Sequence, residues 1–383
     1  MSEAMSSAIV QSRSGNDSVG AQAMDERRDG SLRKEYRLLR EGIGLSDYRA
    51  MGKFKVLGPA SLELVNRVVL ADVSRVPIKK MLATFILRED GGVSCETYVA
   101  NLGDGYLLLT EGASPAEIAG LLANEARDVP GAEVVDTTRE TALFSVDGPY
   151  AWELIKDLVG MEILGARYLE VVTDQSIAGT PATIYRAGKT GEFGYWIAVG
   201  KESAERTWAA LLEAGRPFDL ALCGSEATDL CKLENRFINV VREGARAGNV
   251  LELNCRTMVS RDKGEYRGRA AVESVIERGL RRRLIGLTLE RGSPSDKLPE
   301  LGAAVSYRGV TIGKVANVAY SYTLGRPIAV AFLDVDYAYV GLDYDVGASC
   351  ARSNARTVSA PFVFNKSLAI RFQESSYLAR DSR

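Results

Sequence analysis

Between Tyr185 and Trp196 the chain reads Tyr-Arg-Ala-Gly-Lys-Thr-Gly-Glu-Phe-Gly-Tyr-Trp: a strand enters a glycine-rich bend and leaves as a second strand. Gly188, Gly191 and Gly194 predict a turn whose backbone passes close to other atoms. Glu192 lies on that bend, and Tyr195 and Trp196 follow it directly, so one acid and two aromatic rings are offered to whatever rests there. The sequence contains no histidine. That excludes a Ser-His-Asp or Cys-His engine, a His-ligated metal and a His general base. Proton transfer is left to Asp, Glu, Lys, Tyr, Cys or the substrate itself. Cys95, Cys223, Cys231, Cys255 and Cys350 form no C-x-x-C pair, so they read as reduced thiols rather than a zinc knuckle or a disulfide framework.

The 383 residues, 46% hydrophobic and 26% charged with a formal charge of -2, suit a globular chain of more than one domain. Such a balance carries no field to recruit nucleic acid or a membrane, so a small-molecule partner is expected. The basic run Arg278-Gly-Leu-Arg-Arg-Arg283 reads as a solvated linker. No run of about 18 apolar residues and no signal-peptide pattern is found, and a cytoplasmic location is expected. Residues 1–31, rich in Ser, Gly, Asp and Arg, are expected to form a disordered tail, with Met24 as an alternative start.

The elements that must position these groups follow from hydrophobic period. A helix is expected over Leu32–Glu41, a strand over Gly52–Gly58, a helix from Pro59 to Val69, a hairpin of Ala83–Leu87 with Val93–Ala100, a strand at Leu107–Thr110 and a helix over Ser114–Ala126. The pattern then recurs: strand Ala142–Val146 runs through Asp147-Gly-Pro149 into helix Tyr150–Leu158, as Val56-Leu-Gly-Pro59 enters its helix. Two similar α+β halves are expected, about 32–140 and 141–275. Residues 226–240 read as helical, and from Leu284 short strands suggest a barrel-like β domain over 276–383.

Six collinear stretches carry a resemblance. Val56-Leu-Gly-Pro59, Asp90-Gly-Gly-Val93, Ser145-Val-Asp-Gly-Pro149, Lys189-Thr-Gly-Glu-Phe-Gly-Tyr195, Tyr266-Arg-Gly-Arg-Ala-Ala271 and Ser321-Tyr-Thr-Leu-Gly325 resemble motifs of glycine-cleavage T-proteins, the aminomethyltransferases. The 185–196 stretch resembles that family's T-G-Y-T-G-E-x-G-Y/F-E signature. The resemblance spans about residues 35–370 and implies an α+β fold. It has two related modules around a central channel that holds tetrahydrofolate, plus a C-terminal barrel. It also implies one-carbon transfer assisted by a carboxylate after the G-G-V turn, with no metal.

The departures fall on the implied channel. The family's G-G-V-x-D-D is Gly91-Gly-Val-Ser-Cys95-Glu96, which makes Glu96 and Cys95 the candidate catalytic residues. The final Glu of the signature is Trp196, whose indole N–H donates and cannot accept. The A-R-D-T-L-R-L-E helix carries Thr228 in place of the first Arg and Lys232 in place of the second. An amide is exchanged for Glu111, and the D-V-S-H-M stretch is Asp47-Tyr-Arg-Ala-Met51. Candidate cofactor contacts are therefore Glu192, Tyr195, Trp196, Glu111 and Thr228. Three functions stay open. The first is a tetrahydrofolate-dependent one-carbon transferase or demethylase acting on a small molecule, distinct from the standard glycine-cleavage enzyme. The second is a repurposed enzyme of specialised metabolism that no longer uses folate and works through Glu96, Glu111, Glu192 and Tyr195. The third is a non-catalytic folate-binding or assembly protein, similar to the family's iron–sulfur-maintenance branch, whose K-G-C-Y/F-x-G-Q motif is not found in this sequence.

Overall fold

A computed structural model describes residues 18–290, 293, 296–347 and 353–379. In chain order the first half comprises α1 (Ser18–Glu41), β1 (Gly44–Asp47), β2 (Gly52–Leu57), α2 (Ser61–Val68), β3 (Met81–Leu87), β4 (Val93–Asn101), β5 (Gly105–Glu111), α3 (Pro115–Arg127) and β6 (Glu133–Asp136). The next stretch holds β7 (Thr141–Asp147), α4 (Ala151–Val159), β8 (Val171–Ile177), β9 (Thr180–Tyr185), β10 (Gly194–Gly200), α5 (Ala204–Gly215), β11 (Ala221–Leu222), α6 (Ser225–Asn235) and α7 (Arg269–Arg278). Last come β12 (Arg282–Leu289), β13 (Ala304–Tyr307), β14 (Val310–Ser321), β15 (Arg326–Asp334), β16 (Asp343–Val346) and β17 (Ser353–Val358).

Two sheets form the centre. One has the order β3-β4-β5-β2-β6, the other β11-β1-β7-β10-β9-β8. Each is apolar on both faces because each is sandwiched. Phe54, Ile86, Val99 and Leu108 of the first sheet pack outward against Leu64 and Val65 of α2 and Ile118 and Leu122 of α3. Phe144, Val146, Ile184 and Ile197 of the second pack outward against Trp152 and Ile155 of α4 and Leu211 of α5. The alternate residues meet between the sheets, where Tyr98, Leu107 and Leu109 face Leu143, Tyr185, Trp196 and Ala198. The result is a helix–sheet–sheet–helix sandwich, with the site built in the middle layer. Strands β12-β15-β14-β13-β16-β17 close into a barrel. It packs on the first module through Leu284, Val330 and Phe332 against Phe85, Leu87 and Val93.

Local signals explain the element boundaries. Ser114 and Glu117 make a reciprocal capping box ahead of α3, with Pro115 in its first turn. The repeated Gly-Pro entries are equivalent in three dimensions. Gly58 and Gly148 have φ of +90° and +134°, and a Cβ on either would lie 2.3 Å from a backbone carbonyl oxygen.

Three expectations change. Residues 18–31 are helical rather than part of a tail, because α1 runs on from the docked turn of Tyr36 and Leu39 and its Ala, Met, Glu and Arg residues favour helix; residues 1–17 lie outside the described residues. The helix expected over 226–240 ends at Asn235, where Arg236 turns left-handed with φ of +58°. Strand β1 precedes the first sheet in sequence yet pairs with β7 and β11 of the second. The two modules therefore interleave along the chain.

Candidate functional site

Register sets the site. Glu96 of β4 lies directly opposite Glu111 at the end of β5, and both continue the stripes that face the middle layer. Two carboxylates side by side across a ladder repel one another and call for a cation between them. Lys189, from the bend after β9, supplies it: its Nζ lies 2.6 Å from Glu96 Oε2 and also pairs with Glu111 Oε2. Lys232 of α6 takes the other oxygen of Glu111 at 2.7 Å and lies 3.7 Å from Asp229. Lys189 is fully buried, whereas the Glu111 side chain is 38% exposed, so the cluster opens to solvent at Glu111.

Electrostatics follow from this arrangement. Burial alone would raise the Glu111 carboxyl, but the ammonium groups of Lys189 and Lys232 overcome it and hold the group down to about 2. Desolvation opposes the charge on Lys189, and Glu96 and Glu111 outweigh it, so the lysine is held above its ordinary value and stays an ammonium. Asp147 at the end of β7 behaves differently. Burial pushes it up to about 6, although Ser145 Oγ donates to it and Arg186 and Lys189 supply positive charge nearby.

Aromatic rings line the apolar side of the cluster. The ring centres of Trp196 and Tyr98 lie 4.7 Å apart at 70°, with Tyr48 on the Trp196 edge at 5.9 Å. Lys189 Nζ is 5.4 Å from the Tyr98 ring and 5.9 Å from the Trp196 ring. Trp196 has no exposed surface, and its Nε1–H finds no acceptor among the described residues.

The glycines of the bend permit close approach. A Cβ on Gly188 or Gly194 would fall 2.6 or 2.7 Å from Asp147 Oδ1, so the two halves of the bend close over that carboxylate. Beyond Lys189 the bend is tied down. Thr190 O accepts from Arg40 Nη1 at 2.8 Å and from Asn235 Nδ2 at 2.8 Å, and Arg40 also bonds Glu234.

The candidates named from sequence separate into two groups. Glu96, Glu111 and Trp196 converge in the middle layer. Thr228 lies one helical turn before Lys232 on α6, buried, with Oγ1 3.4 Å from Gly224 O. The others point elsewhere. Cys95 faces α2 and α3 beside Val99 and Ile86, and burial pushes its thiol up to about 12, so it is an inert core group. Tyr195 alternates with Trp196 and packs in the outer core with Ile197, under the Arg186 guanidinium at 4.8 Å. Glu192 accepts the backbone N–H groups of Lys366 and Ser367 at 2.9 and 2.7 Å, and lies 3.7 Å from Arg40. It pins the C-terminal segment to the bend.

Lys189, Asp147 and the pairing role of Lys232 escaped sequence reasoning. Two signals pointed to the lysine: it stands at the tyrosine of the T-G-Y-T-G-E signature, and the facing Glu96 and Glu111 need a cation. Among the described residues no group of three or more Cys, Asp and Glu is placed to hold a metal, and no helix is long and apolar enough to cross a membrane.

Comparison with known proteins agrees with this architecture. Residues 15–263 match the GCVT N-terminal domain, and residues 282–363 match the glycine cleavage T-protein C-terminal barrel domain. The aminomethyltransferase of Streptomyces avermitilis is 32% identical over 318 residues, covering 82% of this chain and 84% of that protein. The aminomethyltransferase of Bacillus subtilis is 28% identical over 336 residues, covering 87% and 91%. The crystal structure of glycine cleavage system aminomethyltransferase T from Bartonella henselae superposes with a TM-score of 0.77 at 21% identity, covering 87% of this chain and 90% of that one, which shows a shared fold. The chain belongs to the glycine-cleavage T-protein family.

Proposed function

We propose that this protein transfers a one-carbon unit between a small molecule and tetrahydrofolate, and that its reaction is not that of the glycine cleavage system. The observation that carries the reading is Glu96. It keeps a carboxylate after the Gly91-Gly-Val93 turn, aimed into the layer between the sheets and set 2.6 Å from a buried ammonium. The positions that resemblance assigns to holding the usual ligand are changed around it, with Trp196 for the signature Glu and Thr228 for Arg.

The residues present fit a pterin by a different grip. A pterin edge needs a carboxylate acceptor, and its ring needs an aromatic face. Glu111 and the rings of Tyr98 and Trp196 supply both, and the unpartnered Trp196 N–H suits a ring carbonyl. In this arrangement Glu111, Tyr98 and Trp196 would hold the cofactor, which would supply the nitrogen that gives or receives the carbon unit. Glu96 orients the reacting amine and takes or returns its proton, within a layer from which the rings exclude water. Lys232 keeps Glu111 ionised and aimed.

Titration with tetrahydrofolate and 5-methyltetrahydrofolate, followed by tryptophan fluorescence, tests the reading. Binding at sub-millimolar concentration is expected, together with loss of turnover and retained binding in Glu96→Gln. Absence of binding sinks the proposal. Full burial of Trp196 favours one rival, a T-protein-fold enzyme that no longer uses folate, and the same titration decides between them.

A further inference from the structure

We propose that a cleft at the end of the sandwich remote from Glu96 binds a small monocarboxylate with an apolar body, its carboxylate held by Lys53 and Lys55. The cleft has a volume of about 490 Å3, and none of its lining residues is among those given above to the cofactor. Its place follows from register. Lys53 and Lys55 of β2 lie opposite Leu109 and Leu107 of β5, so all four project from one face of the first sheet. Leu107 and Glu111 are separated by about 13 Å along β5, which sets the cleft apart from the carboxylate cluster. On the other wall, Leu143, Ala198 and Thr183 are neighbours across the β7, β10 and β9 ladders. Ala198 and Thr183 are small, and the sheets therefore leave a gap where larger side chains would have closed it.

Lys53 is the group that asks for an anion. It is 1% exposed, and its Nζ donates to the carbonyls of Arg49 and Met51 at 2.9 and 2.6 Å. One of its three N–H groups is left without an acceptor, and no carboxylate among the described residues is within ion-pairing distance. A buried ammonium without a counterion is costly. Burial accordingly pushes it down to about 8, and the charges of Asp136 and Asp47 offset that only in part. Lys55 follows two residues later on the same face of β2, exposed and likewise unpaired among the described residues. Two lysines on one wall thus lack the negative charge that would complete them.

The rest of the lining narrows the ligand. Leu107, Leu109, Leu143 and Ala198 form an apolar floor, which suits a hydrocarbon body and not a fully polar anion. Tyr185 also lines the cleft, is 4% exposed, and its hydroxyl has no partner among the described residues. That hydroxyl is a donor for a second carboxylate oxygen. Asp174 stands exposed at the rim, its Oδ2 accepting from the Thr173 hydroxyl at 2.7 Å. Its charge repels a dianion, which favours a monocarboxylate over a phosphate or a dicarboxylate.

The test is calorimetric titration of the full chain with hexanoate, hexanamide and inorganic phosphate, in a buffer free of carboxylates. Hexanoate should bind at a single site with a Kd of about 1 mM or tighter, and the amide and phosphate at least about tenfold more weakly. Lys53→Met should weaken hexanoate at least about tenfold, and Lys55→Gln about three- to fivefold. Thr183→Trp fills the gap and should abolish binding. Should Lys53→Met fail to fold, Lys55→Glu at its exposed position carries the charge test, with hexanoate binding lost. The inference is overturned by absence of saturable hexanoate binding, by equal binding of hexanamide or phosphate, or by unchanged hexanoate affinity in Lys55→Glu. These outcomes do not depend on the one-carbon reading, which stands or falls by tetrahydrofolate.

Discussion

Lys189→Met tests the electrostatic logic of the site. Methionine keeps all but the last atom of the side chain's length and removes the charge, leaving Glu96 and Glu111 as direct cross-strand neighbours. Two carboxylates about 5 Å apart at an effective dielectric near 20 repel by about 3 kcal/mol. Glu111 is 38% exposed and still pairs with Lys232, so solvent and the second lysine reduce the cost to about 2–3 kcal/mol. At about 1.2 °C per kcal/mol for a chain of 383 residues, the melting temperature at pH 7 should fall by about 2–4 °C. Adding Glu111→Gln should recover most of that loss.

The pH dependence gives a second check with a definite sign. In the unmodified protein Glu111 is held down to about 2, so its stabilising contribution is present above the ordinary carboxylate range and lost as pH falls toward 2. In the methionine variant the facing carboxylates must instead bind a proton more readily when folded. Their penalty is then absent in acid and grows as pH rises. The two melting curves should converge below about pH 4, given ordinary carboxylate values near 4. Circular-dichroism melts from pH 3 to 8 measure this. A variant that melts within about 1 °C of the parent at pH 7, or a gap that does not narrow in acid, would refute the reasoning.

Other outcomes follow from groups outside that pair. Asp147 is pushed up to about 6 by burial, so its folded form favours the proton and costs stability as pH rises from 4 to 6. Asp147→Asn should raise the melting temperature at pH 7 and flatten the profile across that window; an unchanged profile refutes it. Lys263 donates to the carbonyls of Asn66 and Ala71 at 2.8 and 3.0 Å and to that of Val69, closing the end of α2. Lys263→Met should cost about 1–3 kcal/mol in urea denaturation. Glu192→Ala removes the acceptor for Lys366 and Ser367 and should speed amide exchange there without altering exchange in the barrel strands.

Much of the fold was legible because the local signals agree with one another. The Gly-Pro entries, the Ser114 cap and the alternation in β4, β5 and β10 each name an element and a face. That alternation, taken strictly, separates Tyr195 from Trp196 and Cys95 from Glu96, since neighbours on a strand point to opposite sides. The resemblance pointed to Glu96 and Trp196 by position, and both side chains enter the middle layer. It misassigned Glu192, because an acid on a bend looks the same whether it faces a ligand or a backbone segment 174 residues away. Lys189 was obscured for a related reason: its partners lie 93 and 78 residues upstream, and only the β4–β5 register makes a cation there necessary. The pairing of β1 with the second sheet has no local signature at all.

Arg40 has a consequence for how the chain is made. Its guanidinium joins Glu234, the carbonyls of Thr190 and Cys231, and Asn365, segments separated from it by 150 to 325 residues. A ribosome extrudes the N-terminal segments first, so α1 emerges long before most of the partners that hold it. The sandwich can collapse early, but the bend carrying Lys189 receives its last anchor only when residues 365–367 have left the exit tunnel. During synthesis the bend thus matures late, followed only by the docking of Tyr377 against Glu153, and a chain cut shortly after the barrel would yield a folded shell around an unfinished site.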